Sequence, residues 1–248
     1  MKLTEVFDQL TSGELSQMAI GGSEAGQIAE ADYPKVIDHI NLALIAIYKR
    51  FYLKEGRVDL GMVPGRMIYP IHSKYALSSV KSNEPVKFLL DSATEKFTDD
   101  ILKIESVQTD AGFEIPMNDA TDRLSIATTS PTTLRIPAAL TSQVQDLPDD
   151  YKTSKLTVVY RAKHPAIVWN EYNFDPDTIE LELPESHLEA LLLYVASRAI
   201  TPTGMINEFN AGNNYASKYE MACQQLELHN FQIDHGNSNN RLLRNGWV

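Results

Sequence analysis

The chain has 248 residues, of which 43% are hydrophobic and 22% are charged, and these proportions are ordinary for a soluble globular protein. Its formal net charge of −11 argues against a protein that wraps nucleic acid by neutralising phosphates, but not against a surface that DNA slides past. The single cysteine, Cys223, permits no internal disulfide and no multi-cysteine metal site, and no apolar run approaches the roughly 20 residues of a membrane span.

The first 58 residues predict two helices. Apolar residues recur with helical spacing over residues 3–10, and the acids among them are unlike a signal peptide, so we expect a protein of cytoplasmic origin. A longer helix is predicted over residues 32–54, because Pro34 suits a first helical turn and a broad apolar stripe follows it. We therefore assign residues 1–58 to a helical bundle.

Residues 59–183 predict a β domain. Short runs of β-branched and aromatic residues are separated there by clusters of Gly, Pro, Asn and Asp. The helices that parallel crossovers require are missing, so the spacing indicates an antiparallel β-sandwich or a small β-barrel. The predicted strands are 67–71, 86–90, 101–107, 113–117, 124–128, 132–136, 156–160 and 179–183.

Residues 183–202 give the clearest helix signal of the chain. Pro184 suits the first helical position, Ser186 and Glu189 have the spacing of a capping box, and Pro202 ends the helix. Burying the three Leu and one Val of its apolar face contributes about 1.5–3 kcal/mol for each side chain, so this face must pack against other helices, first of all residues 32–54. The predicted core face is Leu188, Leu191, Leu192, Val195 and Ala199.

The remaining residues predict a final helix and an arm. Tyr215, Tyr219, Ala222 and Leu226 recur with helical spacing, so a last helix can pack antiparallel on its predecessor and complete the bundle segment 184–232. Residues 233–248 are predicted to form an extended C-terminal arm, polar at first and apolar near its end. The arm residues expected to bind a partner or a neighbouring subunit are Arg241, Leu242, Leu243, Arg244 and Trp247. The fold class is therefore α+β, with the β domain inserted into a helical bundle.

No catalytic, nucleotide-binding or metal-binding motif is found, so we expect no cofactor, no metal and no enzymatic activity. Residues that converge only in space would escape such a search. Two alternatives therefore stay open. The β domain would bind a receptor or carbohydrate through Tyr160, Trp169 and Tyr172, or a hydrolase would use dispersed carboxylates. The carboxylate pairs at 99–100 and 149–150 are typical of loop charges and not of an acid and a base placed across a cleft.

The order of these segments resembles that of the head-to-tail connector (adaptor) proteins of short-tailed bacteriophages, including the tail tubular protein A group. The resemblance rests on residues 183–185, residues 188–199, and Tyr215 and Tyr219 in the following helix. It implies a virion protein, assembled in the host cytoplasm, that forms a ring of typically twelve copies.

The resemblance also implies partners. Such a ring joins the portal protein to the tail nozzle, and double-stranded DNA passes through its channel without sequence-specific binding. An acidic lumen would repel phosphates and let the duplex slide. Within the same class, a tail-completion protein is the alternative.

Overall fold

The computed structural model describes residues 1–16, 19–20, 27–80, 82–141, 154–200 and 206–233. The α-helices of these residues are α1 (Leu3–Ser12), α2 (Tyr33–Arg50), α3 (Ala138–Thr141), α4 (Leu188–Ile200) and α5 (Ile206–Leu228). The strands are β1 (Ala19–Ile20), β2 (Gln27–Ile28), β3 (Glu55–Gly61), β4 (Ile68–Pro70), β5 (Leu89–Leu90), β6 (Ile101–Thr109), β7 (Ala127–Ser130), β8 (Thr133–Arg135) and β9 (Lys155–Ala162). The predicted α+β class is confirmed.

The chain divides into two compact units. The helical unit comprises Met1–Leu53 and His164–Val248, and the β unit comprises Lys54–Lys163. The helical unit is thus built from both ends of the chain, with the β unit inserted between them. The observed β unit therefore begins and ends earlier in the chain than the predicted segment 59–183.

Two local differences account for the shifted boundaries. Strand β3 was not predicted, because Gly56, Gly61 and charged residues leave only Val58 and Leu60 as an alternating apolar pair. The predicted strand 179–183 does not form, and Glu180 alone makes a bridge, to Lys2. The alternating burial of its leucines comes from packing inside the helical unit and not from a sheet.

The β unit contains two antiparallel sheets. Four strands follow the order β5–β3–β9–β6, and three follow the order β4–β8–β7. The central strand β9 pairs with β3 from Glu55↔Arg161 to Gly61↔Lys155. Side chains of both sheets form one hydrophobic core that includes Val58, Leu60, Leu156 and Val158 from the larger sheet and Tyr69 and Leu134 from the smaller. This is the sandwich alternative, since the described residues form no closed barrel.

In the helical unit, α4 runs antiparallel to α2. His187, just before α4, packs edge-on against Phe51, just after α2, with the ring centroids 4.8 Å apart. At the opposite end of this helix pair, Arg198 near the end of α4 lies close enough to His39 near the start of α2 to lower its pKa. Helix α5 contacts α4 extensively, and the Tyr194 and Tyr219 rings meet at 5.2 Å.

Helix α4 begins later than its sequence predicts. Pro184 precedes a 3₁₀ turn over Glu185–His187, and the α-helix itself starts at Leu188. Of the predicted core face, Leu191, Leu192 and Val195 are buried, whereas Leu188 and Ala199 lie near the two helix ends and are half-buried. Residues outside that face are also buried, because α4 is covered by both α2 and α5: Ala190, Leu193, Ala196 and Ile200.

Candidate partner-binding surfaces of the helical unit

Helix α2 holds a different segment on each of its two flanks. An α-helix has 3.6 residues per turn, so Asn41 and Arg50, about two and a half turns apart, point to opposite sides. Asn41 binds the segment that follows the β unit, and Arg50 binds α5. The two segments therefore present surfaces on opposite flanks of α2.

The first segment is a loop fixed at both ends, which we call the anchored loop (residues 167–177). The Asn41 amide donates to the Ile167 carbonyl and accepts from the Ile167 N–H, both at 2.9 Å. At the other end, the Phe174 ring lies 6.0 Å from that of Tyr33 in α2. The Thr4 hydroxyl of α1 donates to Asp177 at 2.7 Å. A loop fixed in this way is preorganised for binding.

The tip of the anchored loop, residues 168–173, projects apolar and aromatic side chains into solvent. Val168 is 77% exposed and Tyr172 is 87% exposed. The tip is a turn in which the Asn170 side chain accepts from the Tyr172 N–H at 3.1 Å. Tyrosine is enriched among the residues that dominate binding energy at protein interfaces, so the tip is a candidate partner-binding surface.

On the opposite flank, Arg50 fixes α5. Its guanidinium donates to Glu220 at 2.6 Å and to Glu227 at 2.7 Å, and the hydrogen bond to Glu227 raises the pKa of Arg50. With these acids facing Arg50, the solvent face of α5 holds mainly uncharged residues, among them Ser217, Met221, Gln224 and Leu228. A face depleted of charge is typical of an interface core.

A groove of about 430 Å³ lies beside this face, among the end of α1, α4 and α5, and we call it the α4–α5 groove. Its apolar wall is formed by Leu193 and Met221. Lys218, the only Lys or Arg of α5, lies 5.3 Å over the Tyr215 ring. Among the described residues of the groove, Glu14 and Glu189 add two carboxylates. These walls suit an aromatic side chain with a polar end.

The five predicted arm residues lie outside the described part of the chain, and their binding role stays a prediction: Arg241, Leu242, Leu243, Arg244 and Trp247. Of the three aromatic residues of the carbohydrate hypothesis, only Trp169 and Tyr172 have solvent-accessible rings. Tyr160 is only 4% exposed in the β unit, where its hydroxyl donates to Asp100 at 2.9 Å. Trp169 and Tyr172 belong to the helical unit.

The paired carboxylates have structural contacts where they are described. Asp99 accepts from the backbone N–H and hydroxyl of Ser73, and Asp100 accepts from Tyr160. The pair at 149–150 lies outside the described residues.

In the part of the chain that the structure describes, no cluster of His, Cys, Asp and Glu could hold a metal ion. None of the described helices combines the length and apolar character needed to span a bilayer.

Two histidines of the helical unit carry nitrogens that find no hydrogen-bond partner among the described residues, Nε2 of His187 and Nδ1 of His39. Burial lowers the pKa of His187 below its ordinary value of 6.5. The pKa of His39 is lowered by burial and by Arg198, against an opposing effect of Asp38. Both rings therefore favour the neutral form in the folded protein.

These shifts predict that the free energy of unfolding decreases as the pH falls below about 6.5. Above that pH the folded and unfolded states both hold neutral His187, so the residue gives no pH dependence. Below it, the unfolded chain takes up a proton that the folded chain resists, and unfolding is favoured until the pH passes the lower, folded pKa. Denaturant unfolding between pH 8 and pH 5 measures the change.

The matched variant is His187→Gln, which removes the titrating ring from the same site. Its free energy of unfolding should decrease less than that of the parent protein between pH 8 and pH 5, because the contribution of the His187 ring is removed. Equal decreases in the two proteins would contradict a role for His187.

Sequence reasoning named Trp169 and Tyr172 as binding candidates but assigned them to the β domain, and it missed both the anchoring of their loop and the groove. The tip has no periodicity, and the groove joins segments far apart in the chain. One feature of the sequence could have indicated the loop as a distinct surface. Between Lys163 and Arg198 the chain has several acidic residues but no Lys or Arg. The exposed Tyr172 lies within this acidic stretch.

Comparison with known proteins assigns the chain to no family, and so gives no function to these surfaces. They are interpreted from their geometry and from the resemblance described above. Neither a scan against protein-family models nor a search of curated proteins finds a significant match to the chain.

Proposed function

We propose that this protein is a structural, non-enzymatic component of a bacteriophage virion. It acts as a head-to-tail adaptor, a ring of about twelve copies that joins the portal to the tail nozzle and gives DNA a channel. Assembly takes place in the host cytoplasm, and the finished ring belongs to the neck of the virion.

The observation that carries this proposal is the architecture of the helical unit. It is assembled from both ends of the chain, and the β unit is inserted between α2 and α4. This is the segment order on which the resemblance to adaptor proteins rests. The ion pairs of Arg50 with two acids of α5, and the packing of α4 on α2 and α5, hold the helices of this unit together.

The charge of the protein also supports the proposal. A net charge of −11 disfavours tight binding to DNA phosphates, which depends on clusters of Lys and Arg. A channel protein has to let the duplex pass in both packaging and ejection. Weak, repulsive contact is compatible with that task.

The direct test is the assembly state of the full-length protein. Native mass spectrometry and negative-stain electron microscopy should reveal a hollow ring of about a dozen copies, either for the protein alone or after addition of the portal. A protein that remains monomeric under both conditions would contradict the adaptor function. Glycan binding by that monomer would favour the receptor-binding alternative.

Deletion of residues 241–248 should weaken docking to the portal by at least about tenfold while leaving the fold intact. Leu242, Leu243 and Trp247 are large apolar side chains, and tryptophan is enriched among residues that dominate binding energy. Pull-down and sedimentation with the portal measure the docking, and circular dichroism checks the fold.

The matched control alters the polar part of the arm and keeps its length. Replacing Asn237, Ser238 and Asn239 by alanine should leave portal docking unchanged, because these residues offer little apolar surface. Docking that survives the deletion would remove the arm from the proposal.

A further inference from the structure

A ring of identical subunits needs two different, complementary surfaces on each copy, because every contact in it is head-to-tail. The helical unit carries two such candidates, the tip of the anchored loop and the α4–α5 groove. The loop is attached at Asn41 and α5 at Arg50, on opposite flanks of α2. A tip on one flank does not face its own groove, but it can face the groove of the next copy.

The tip has the properties of an inserting element. Tyr172 exposes most of its ring, and the attachments at Ile167 and Phe174 hold the turn between them in place. A buried tyrosine removes about 150–250 Å² of its own surface from solvent, and little conformational entropy is lost from a turn that is already fixed. Val168 adds a second exposed apolar side chain to the same turn.

The groove has the complementary properties. Its volume of about 430 Å³ is large enough for a tyrosine side chain, and Leu193 and Met221 offer apolar surface. The neutral phenol of an inserted tyrosine can donate a hydrogen bond to a groove carboxylate, Glu14 or Glu189, without adding a further negative charge.

One pair of opposite charges adds to this fit. The tip carries Glu171 beside Tyr172 in a stretch without Lys or Arg, whereas the groove contains Lys218, the only such residue of α5. The groove also holds Glu14 and Glu189, so only the pair of Glu171 with Lys218 is attractive, and this pair sets the orientation in which the tip approaches.

We propose that the tip of one copy inserts Tyr172 into the α4–α5 groove of the next copy. The inference rests on the proposed ring and names the contact that builds it. Tyr172 and Val168 supply the apolar surface, and Glu171 pairs with Lys218 across the interface.

The test compares the self-association of full-length proteins by sedimentation velocity and negative-stain microscopy. The double variant Val168→Ser/Tyr172→Ser should weaken self-association by at least about tenfold, since the loss of a dominant interface side chain costs that much. Circular dichroism should stay unchanged because both side chains are exposed. The control Leu77→Ser/Val80→Ser removes two exposed apolar side chains of the β unit, Val80 being 94% exposed, and should assemble like the parent.

A charge exchange supplies an independent readout. Lys218→Glu should weaken self-association, and adding Glu171→Lys to it should restore the association, because the pair is then reversed and not removed. A merely structural role of Lys218 would not give this rescue.

The outcomes separate this inference from the proposed function. Rings that form equally well with the tip variant would overturn the inference and leave the adaptor function standing. Open oligomers that depend on the tip would support the contact and contradict the closed ring. A protein that stays monomeric with and without the portal would overturn both.

Discussion

Replacing Leu191 by aspartate is expected to unfold the helical unit. Leu191 is fully buried on α4, a helix covered on one side by α2 and on another by α5. A carboxylate there would give up its hydration without a charged partner, and the apolar packing of the leucine would disappear as well. The expected cost is about 5 kcal/mol or more, comparable with the entire stability of many domains.

Circular dichroism and the reactivity of Cys223 measure the result. The thiol is fully buried, and burial raises its pKa, so it should react slowly in the parent protein and rapidly in the variant. Leu42→Asp is the control, since Leu42 lies on α2 but is 46% exposed. A soluble Leu191→Asp protein with parental helicity and a protected thiol would show that α4 is not a core helix.

The second large effect is expected for Gly56→Ala in strand β3. A Cβ atom at this position would lie 2.4 Å from two ring atoms of Tyr160. That ring is buried in the core of the β unit and its hydroxyl is bound to Asp100, so it cannot swing away freely. Overpacking of this kind costs about 1–3 kcal/mol, and the rigid ring places the expected value at the upper end.

Gly61→Ala gives a matched control on the same strand. The nearest atom to its added Cβ is a Leu90 methyl at 3.4 Å, an ordinary van der Waals distance, so its free energy of unfolding should change by less than about 1 kcal/mol. Urea denaturation of both variants, followed by near-ultraviolet circular dichroism, measures the difference. Equal stability of the two variants would show that the Tyr160 ring adapts.

Gly56 also explains why part of the β unit escaped sequence prediction. Read locally, a glycine indicates a turn or a weak strand. In the folded protein it is required because Tyr160, about a hundred residues later, places its ring against the β3 backbone. A contact between two residues so far apart in the chain leaves no pattern in the local sequence. Strand β9, where Leu156 and Val158 alternate with polar residues, was predicted from its sequence for the opposite reason.

The helices were predicted more completely than the binding surfaces. The apolar stripes of α2 and α4 are local and periodic, so their residues could be assigned to a core from sequence alone. The anchored loop depends instead on one pair of hydrogen bonds between Asn41 and Ile167, which no spacing reveals. The groove likewise joins Glu14 to Tyr215, whose hydroxyl donates to the Glu14 carbonyl at 3.2 Å.

The insertion of the β unit has a consequence for synthesis. Its first and last strands pair with each other, and the Ala162 N–H donates to the Lys54 carbonyl at 3.0 Å, so it can close before any of α4 is made. At roughly 5–20 residues per second, the ribosome needs on the order of ten seconds to translate this unit. Throughout that interval α2 lacks α4, one of the helices that pack against it in the folded unit. The length of the insertion therefore sets how long the nascent chain depends on chaperones or on transient contacts to avoid aggregation.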